Sequence, residues 1–163
     1  MTLVVADTGP INYLHLVGRL GLLRDLYAEI TIPPAVLREM SHPKAPPGLR
    51  SLANFPPAWL KVRTPQNVQF LDLLDDGEAE AISLALELKA QRILIDERDG
   101  RRSAASLGFQ ISGTLGILEE AAERRLITLQ EAFDDLRKTT FRADSALYEA
   151  ALKRDRDRRS RPA

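Results

Sequence analysis

Leu3-Val4-Val5-Ala6-Asp7-Thr8-Gly9-Pro10 is a short apolar run that stops on an acid and passes at once into residues that start helices. Such a run, bounded by turn residues, reads as a buried strand, and Pro10 suits the first turn of the helix that follows. The same order recurs in Ile93-Leu94-Ile95-Asp96, a second apolar strand closed by an acid. Between them Ile30, Thr31 and Ile32 form a β-like run ended by Pro33 and Pro34, and Pro34 can open a helix carrying Val36, Leu37, Glu39 and Met40. Trp59 to Val62 and Phe109 to Ile111 give two more short strands. Helical periodicity fills the intervals: Ile11 to Val17, Leu20 to Leu26, a largely apolar helix introduced by Asp75-Asp76-Gly77, and Arg101 to Leu107. Leu115 to Arg125, Leu129 to Lys138 and Ser145 to Arg154 are helical by pattern. Strands alternating with helices predict an α/β fold with a parallel sheet, because parallel neighbours need crossover connections. His42 to Pro57, rich in Pro and Gly, reads as a long loop with at most one helical turn.

Length and composition bound what this fold can be used for. The 163 residues, 44% hydrophobic and 28% charged, suit one ordinary domain, expected over residues 1–150. Residues 151–163 are expected to form a basic, flexible tail, since Lys153, Arg154, Arg156, Arg158, Arg159 and Arg161 face only Asp155 and Asp157. That tail reads either as a solvated end or as a contact for RNA or a partner. No stretch has the length and apolarity of a membrane span, and Asp7 interrupts what would be a signal peptide, so a cytoplasmic protein is expected. With no cysteine, disulfides, thiolate metal sites and cysteine nucleophiles are excluded. His15 and His42 alone cannot build a multi-histidine zinc site, so any metal must rest on oxygen ligands. The 23 basic and 23 acidic residues balance, unlike the clear basic excess of a protein held to nucleic acid only through phosphates.

The chemistry lies in the acids. In a parallel sheet the strand C-termini point to one edge, and Asp7 and Asp96 each stand just past such a terminus. Anionic side chains facing each other there repel unless a cation neutralises them. Glu39, on the helix after the second strand, and Glu78, near the start of the apolar helix, can join them. Carboxylates without His or Cys select hard ions such as Mg²⁺ or Mn²⁺, which act on phosphodiesters by activating water and stabilising the leaving oxygen. Each acid also has a plain structural reading. Asp7 can cap the helix it precedes, Glu39 can be a solvated surface residue, and Glu78 can favour the positive end of its helix. Spacing does not choose between Glu78 and Glu80, or between Asp96 and Asp99, because each pair lies within one helical turn.

Five segments in order, VVADTGPINYL, PPAVLREM, DDGEAEAISLA, ILIDERDGRRSA and ISGTLGILEEA, resemble the motifs of PIN-domain proteins over residues 3 to about 127. Their Gly-Glu and Asp-Glu-Arg variants resemble a bacterial and archaeal branch, the VapC-like toxin ribonucleases. The resemblance implies a three-layer α/β/α domain with a parallel sheet of about five strands and an acidic pocket for Mg²⁺ or Mn²⁺. By motif it assigns the catalytic and metal-ligating roles to Asp7, Glu39, Glu78 and Asp96. Thr8 looks like the hydroxyl residue that accompanies the first aspartate, with Asn12 one turn on. Many relatives place the last acid two residues past a strand-end Thr or Ser, whereas here Asp96 itself is expected to end the strand and Asp99 follows a turn later. Thr114, in Gly113-Thr114-Leu115-Gly116, is expected to orient a neighbour or to cap its helix. Arg98, Arg101 and Arg102 are candidate phosphate contacts, or a solvated helix face. The resemblance further implies an RNA substrate, a small antitoxin partner and a homodimer.

Two alternative chemistries fit less well. A phosphohydrolase with an aspartyl nucleophile would need a second aspartate where Gly9 stands, and a dinucleotide-binding fold would need GxGxxG after the first strand. A catalytically silent PIN-like domain that binds RNA or protein remains the alternative to the enzyme.

Overall fold

A computed structural model describes residues 2–162; Met1 and Ala163, the outermost residues of the expected domain and tail, fall outside them. Five strands, β1 (Val4–Ala6), β2 (Ile30–Ile32), β3 (Leu60–Val62), β4 (Arg92–Leu94) and β5 (Gln110–Ser112), form one sheet in the order β3-β2-β1-β4-β5. All four pairings are parallel. Successive strands first step outward from β1 to β3, and the chain then returns across the sheet to place β4 on the other side of β1. The C-terminal ends of β1 and β4 therefore flank the switch point, where an open parallel sheet leaves a crevice.

Side-chain alternation along the central strands divides the core into two layers. Val4 and Ala6 of β1, with Leu94 of β4 and Ile30 and Ile32 of β2, face one cluster. That cluster is covered by α1 (Thr8–Leu16), α2 (Leu22–Tyr27), α3 (Pro34–Met40), α7 (Thr114–Glu123), α8 (Leu129–Arg137) and α9 (Ser145–Arg159). Val5 of β1, Ile93 and the following Ile95 face the opposite way, onto α5 (Asp76–Leu88) and α6 (Arg98–Ser106). The result is the three-layer α/β/α arrangement, with β1 buried on both faces as its unbroken apolar run requires, β2 likewise buried, and the edge strands β3 and β5 partly exposed.

Two expectations from sequence need correction. Residues Pro47–Asn54 form an eight-residue helix, α4, inside the segment expected to be a loop. Pro47 sits at a helix start, where its missing N–H costs nothing, and Leu49 and Ala53, four apart, bury one face of the helix. The basic stretch is likewise no flexible tail up to Arg159, because α9 carries it. Glu119 of α7 receives two hydrogen bonds from Arg154, at 2.8 and 2.9 Å, and Asp155 is buried and paired with Arg159 at 3.1 Å. Tyr148 of α9 meets Phe133 of α8 edge to face, with ring centroids 5.0 Å apart. Among the described residues no helix is long and apolar enough to cross a membrane.

The α8–α9 hairpin thus shares the main core through Phe133, which is fully buried. Phe133→Ala is expected to lower the free energy of unfolding by about 3–5 kcal/mol in urea titrations. A loss below about 1 kcal/mol would detach this hairpin from the core.

Candidate active site

Asp7 directly follows β1, and its backbone N–H donates to Leu94 O at 2.9 Å, which fixes its position beside the end of β4. Four helices begin around this edge: α1 at Thr8, α5 at Asp76, α6 at Arg98 and α7 at Thr114. Their N-terminal ends present unpaired N–H groups and positive dipole ends, so the edge tolerates a concentration of carboxylates that a sheet alone would not.

The acids gather here because two glycines let them approach helix backbone closely. A Cβ on Gly77, in the first turn of α5, would collide with Glu39 Oε1 and lie 3.1 Å from Asp7 Oδ1. A Cβ on Gly100 of α6 would collide with the Ile95 side chain and lie 2.7 Å from Glu78 Oε2. Glu39 and Asp7 thus converge over the start of α5, while Glu78 reaches toward α6. Glu39 is exposed as a residue, yet its carboxylate is the part that turns inward, against Gly77, and it accepts a hydrogen bond from the Thr8 hydroxyl.

Asp96 lies two residues beyond the assigned end of β4, rather than ending the strand itself. Both its oxygens are held by one residue: Thr114 donates from its backbone N–H to Oδ1 and from its hydroxyl to Oδ2, each at 2.7 Å. Thr114 therefore both starts α7 and fixes the orientation of Asp96. Arg101, whose Nη1 donates to Ile95 O at 3.0 Å, stands beside the same carboxylate.

Burial governs the electrostatics. Asp7 and Glu78 are each 6% exposed, and Asp7 Oδ1 and Glu78 Oε2 have no hydrogen-bond partner. The Asp7 pKa is raised to about 7, chiefly by desolvation, which the Thr8 N–H partly offsets and to which the charges of Glu39, Asp75 and Asp96 add. Glu78 is pushed well above the usual carboxylate range, first by burial and then by its contact and repulsion with Asp75, with Asp7 and Glu97 adding to it. Glu39 and Asp96 are also raised, in each case mainly by desolvation. In Asp96 the Thr114 hydrogen bonds work in the opposite direction.

Two buried anionic oxygens without donors fit a bound cation, and oxygen-only ligation fits a hard one such as Mg²⁺ or Mn²⁺. Among the described residues, however, no group of three or more acids stands in ready-made ligand geometry. The residues fit the ion by the chemistry of their oxygens and by their common edge of the sheet.

The other residues singled out from sequence divide. Glu80 leaves the cluster: it accepts from Ala35 N at 3.1 Å and from Arg38 at 3.3 Å, tying α5 to α3. Asp99 is exposed in the first turn of α6 and makes no ion pair among the described residues. Asn12 is half-buried on α1 without a side-chain hydrogen bond. Arg98 and Arg101 line a cleft beside Asp96, and Arg102 is exposed outside it. Sequence reasoning passed over Asp75, which caps α5 by accepting the Glu78 N–H at 2.8 Å and adds charge to Asp7, Glu39 and Glu78. Its signal was the capping spacing Asp75-x-x-Glu78.

A raised acid pKa reverses the common sign of carboxylate linkage. Between 3.8 and about 7 the folded chain keeps a proton on Asp7 that the unfolded chain releases, so stability falls as pH rises through that window. In EDTA the melting temperature is therefore expected to be lower at about pH 8 than at about pH 5, and Asp7→Asn to raise it at the higher pH by at least about 3 °C. Mn²⁺ is expected to stabilise the wild type more at the higher pH. Differential scanning calorimetry reads both, and a pH-independent wild type would contradict the burial of these charges.

No curated protein and no solved structure matches this chain. A family model described as a PIN domain matches residues 3–156, nearly the whole chain and all five strands with their connecting helices. The chain belongs to the PIN-domain family, whose members are in general nucleases.

Proposed function

We propose that this protein is a metal-dependent endoribonuclease that hydrolyses RNA phosphodiester bonds. The observation that carries the reading is the pair of buried, partnerless oxygens, Asp7 Oδ1 and Glu78 Oε2, at the switch-point edge of the sheet. Asp7, Glu39, Glu78 and Asp96 are the residues that would hold Mg²⁺ or Mn²⁺. Once bound, such an ion supplies the charge that activates water and stabilises the leaving oxygen. The chain itself supplies orientation. Thr8 holds Glu39, Thr114 holds Asp96, and Asp75 fixes the first turn of α5 from which Glu78 projects. No side chain need act as a covalent nucleophile.

The motif resemblance supports a narrower role, the toxin of a toxin–antitoxin pair acting in the cytoplasm, restrained by a small antitoxin and assembled as a homodimer. One observation favours a second reading: the absence of a ready-made three-acid group among the described residues suits a PIN domain that binds RNA or protein without cutting.

Cleavage of single-stranded RNA in Mn²⁺, Mg²⁺ or EDTA separates the two. Metal-dependent cleavage is expected, reduced by about 10²-fold or more in Asp7→Asn and Glu78→Gln, the scale at which loss of one charge-stabilising group is felt. Purified wild type that neither cuts RNA nor binds either metal would establish the silent binding module.

A further inference from the structure

Two adjoining clefts open beside Asp96, of about 500 and about 390 Å³. Both are lined by Asp96, Arg98, Phe141 and Arg142, so they are two halves of one groove meeting at the loop between α8 and α9. This loop carries none of the four candidate ligand acids, although its own Asp144 lines the larger cleft and Glu97 the smaller one. It is pinned in place: Phe141 meets Tyr13 of α1 edge to face with centroids 5.0 Å apart, and the Tyr13 hydroxyl and Thr140 Oγ1 are 3.1 Å apart.

The charges in the groove are not equivalent. Arg101 is committed to Ile95 O and Arg154 to Glu119. Arg98 and Arg142 are exposed and make no ion pair or side-chain hydrogen bond among the described residues. Two uncommitted guanidiniums lining the same clefts as Asp96 suit a polyanion whose neighbouring phosphates need counter-charge, and guanidinium forks match phosphate oxygens. In the same lining Phe141, half-buried, offers an aromatic surface of the kind on which bases stack. Asp7 and Glu78 are nearly closed off from solvent, so a backbone must bend inward to approach them. A single strand can do so, while a duplex holds its phosphates on a stiff cylinder.

We propose that the α8–α9 loop, with Arg98, forms the seat for the nucleotide next to the cleaved bond. In this seat Phe141 packs against a base of single-stranded RNA, and Arg142 and Arg98 hold the flanking phosphates. The proposal rests on the nuclease reading for its substrate, but its binding test does not depend on cleavage.

Fluorescence anisotropy with a short fluorescein-labelled single-stranded oligoribonucleotide, in EDTA at low salt, measures binding without turnover. Arg142→Glu is expected to weaken binding by about tenfold or more and to make the dependence of log K on log salt shallower by about 0.7, the share of one phosphate contact. Phe141→Leu, which keeps an apolar side chain against Tyr13, is expected to weaken binding several-fold without changing that slope. Arg24→Glu, a charge reversal at the opposite edge of the sheet, sets the baseline for a general loss of positive charge. Equal losses in Arg142→Glu and Arg24→Glu, no binding by the wild type, or tighter binding of the matching duplex would each overturn the proposal. RNA binding that depends on Arg142, in a protein that does not cut with Mn²⁺, would leave the seat standing and remove the nuclease. Metal-dependent cutting with an unchanged KM in Arg142→Glu would do the reverse.

Discussion

Asp7 Oδ1 and Glu78 Oε2 sit out of water with no donor to satisfy them, among further carboxylates that repel them. A buried carboxyl group with an unsatisfied oxygen is costly, the more so once it ionises, and it persists only where the surrounding structure enforces it. Here the enforcement comes from the parallel sheet. β1 and β4 are neighbours, with Val5 opposite Ile93, so the residues that follow them emerge side by side whatever their charge. Glycines at 77 and 100 then let the helices close over the acids instead of holding them apart. The strain is concentrated where four helix N-termini can partly compensate it, and the remaining imbalance is what a divalent ion would relieve.

This constraint accounts for features that otherwise look unrelated. The Thr114 hydroxyl and N–H both serve Asp96, leaving that acid fixed in direction although one side of it opens to the groove. Asp75 is spent on the backbone of α5, while Glu80, two residues past Glu78, turns away to α3. The acids thus divide between those that hold helices in place, those oriented by a threonine, and Asp7 and Glu78, each of which keeps one oxygen without a partner.

Much of the fold was legible because its signals are local. Apolar runs of three or four residues ending in Asp or Pro mark the strands, and their alternation with helical periods dictates a parallel sheet. Asp7 and Asp96 could be placed at one edge of the sheet for the same reason, as residues just past buried strands. Glu78 could not be told from Glu80 by spacing, because the choice depends on Ala35 and Arg38 of α3, more than forty positions away. α4 is hidden by the Pro and Gly content of its segment, although a proline at the first helical position starts a helix as readily as one inside it stops one. The C-terminal stretch resembled a solvated tail because its charge pattern is local, whereas the partner that folds it down, Glu119, lies on α7. Phe141 and Arg142 carry no motif at all and gain meaning only from standing beside Asp96.

Burial favours the protonated form of these acids, so a divalent cation that binds them must displace protons. Isothermal titration of the wild type with Mn²⁺ near pH 6, repeated in buffers of different ionisation enthalpy, counts those protons directly. Saturable binding with release of about one proton or more per ion is expected, since the Asp7 pKa is raised to about 7. Binding without proton release, or no binding, would contradict it.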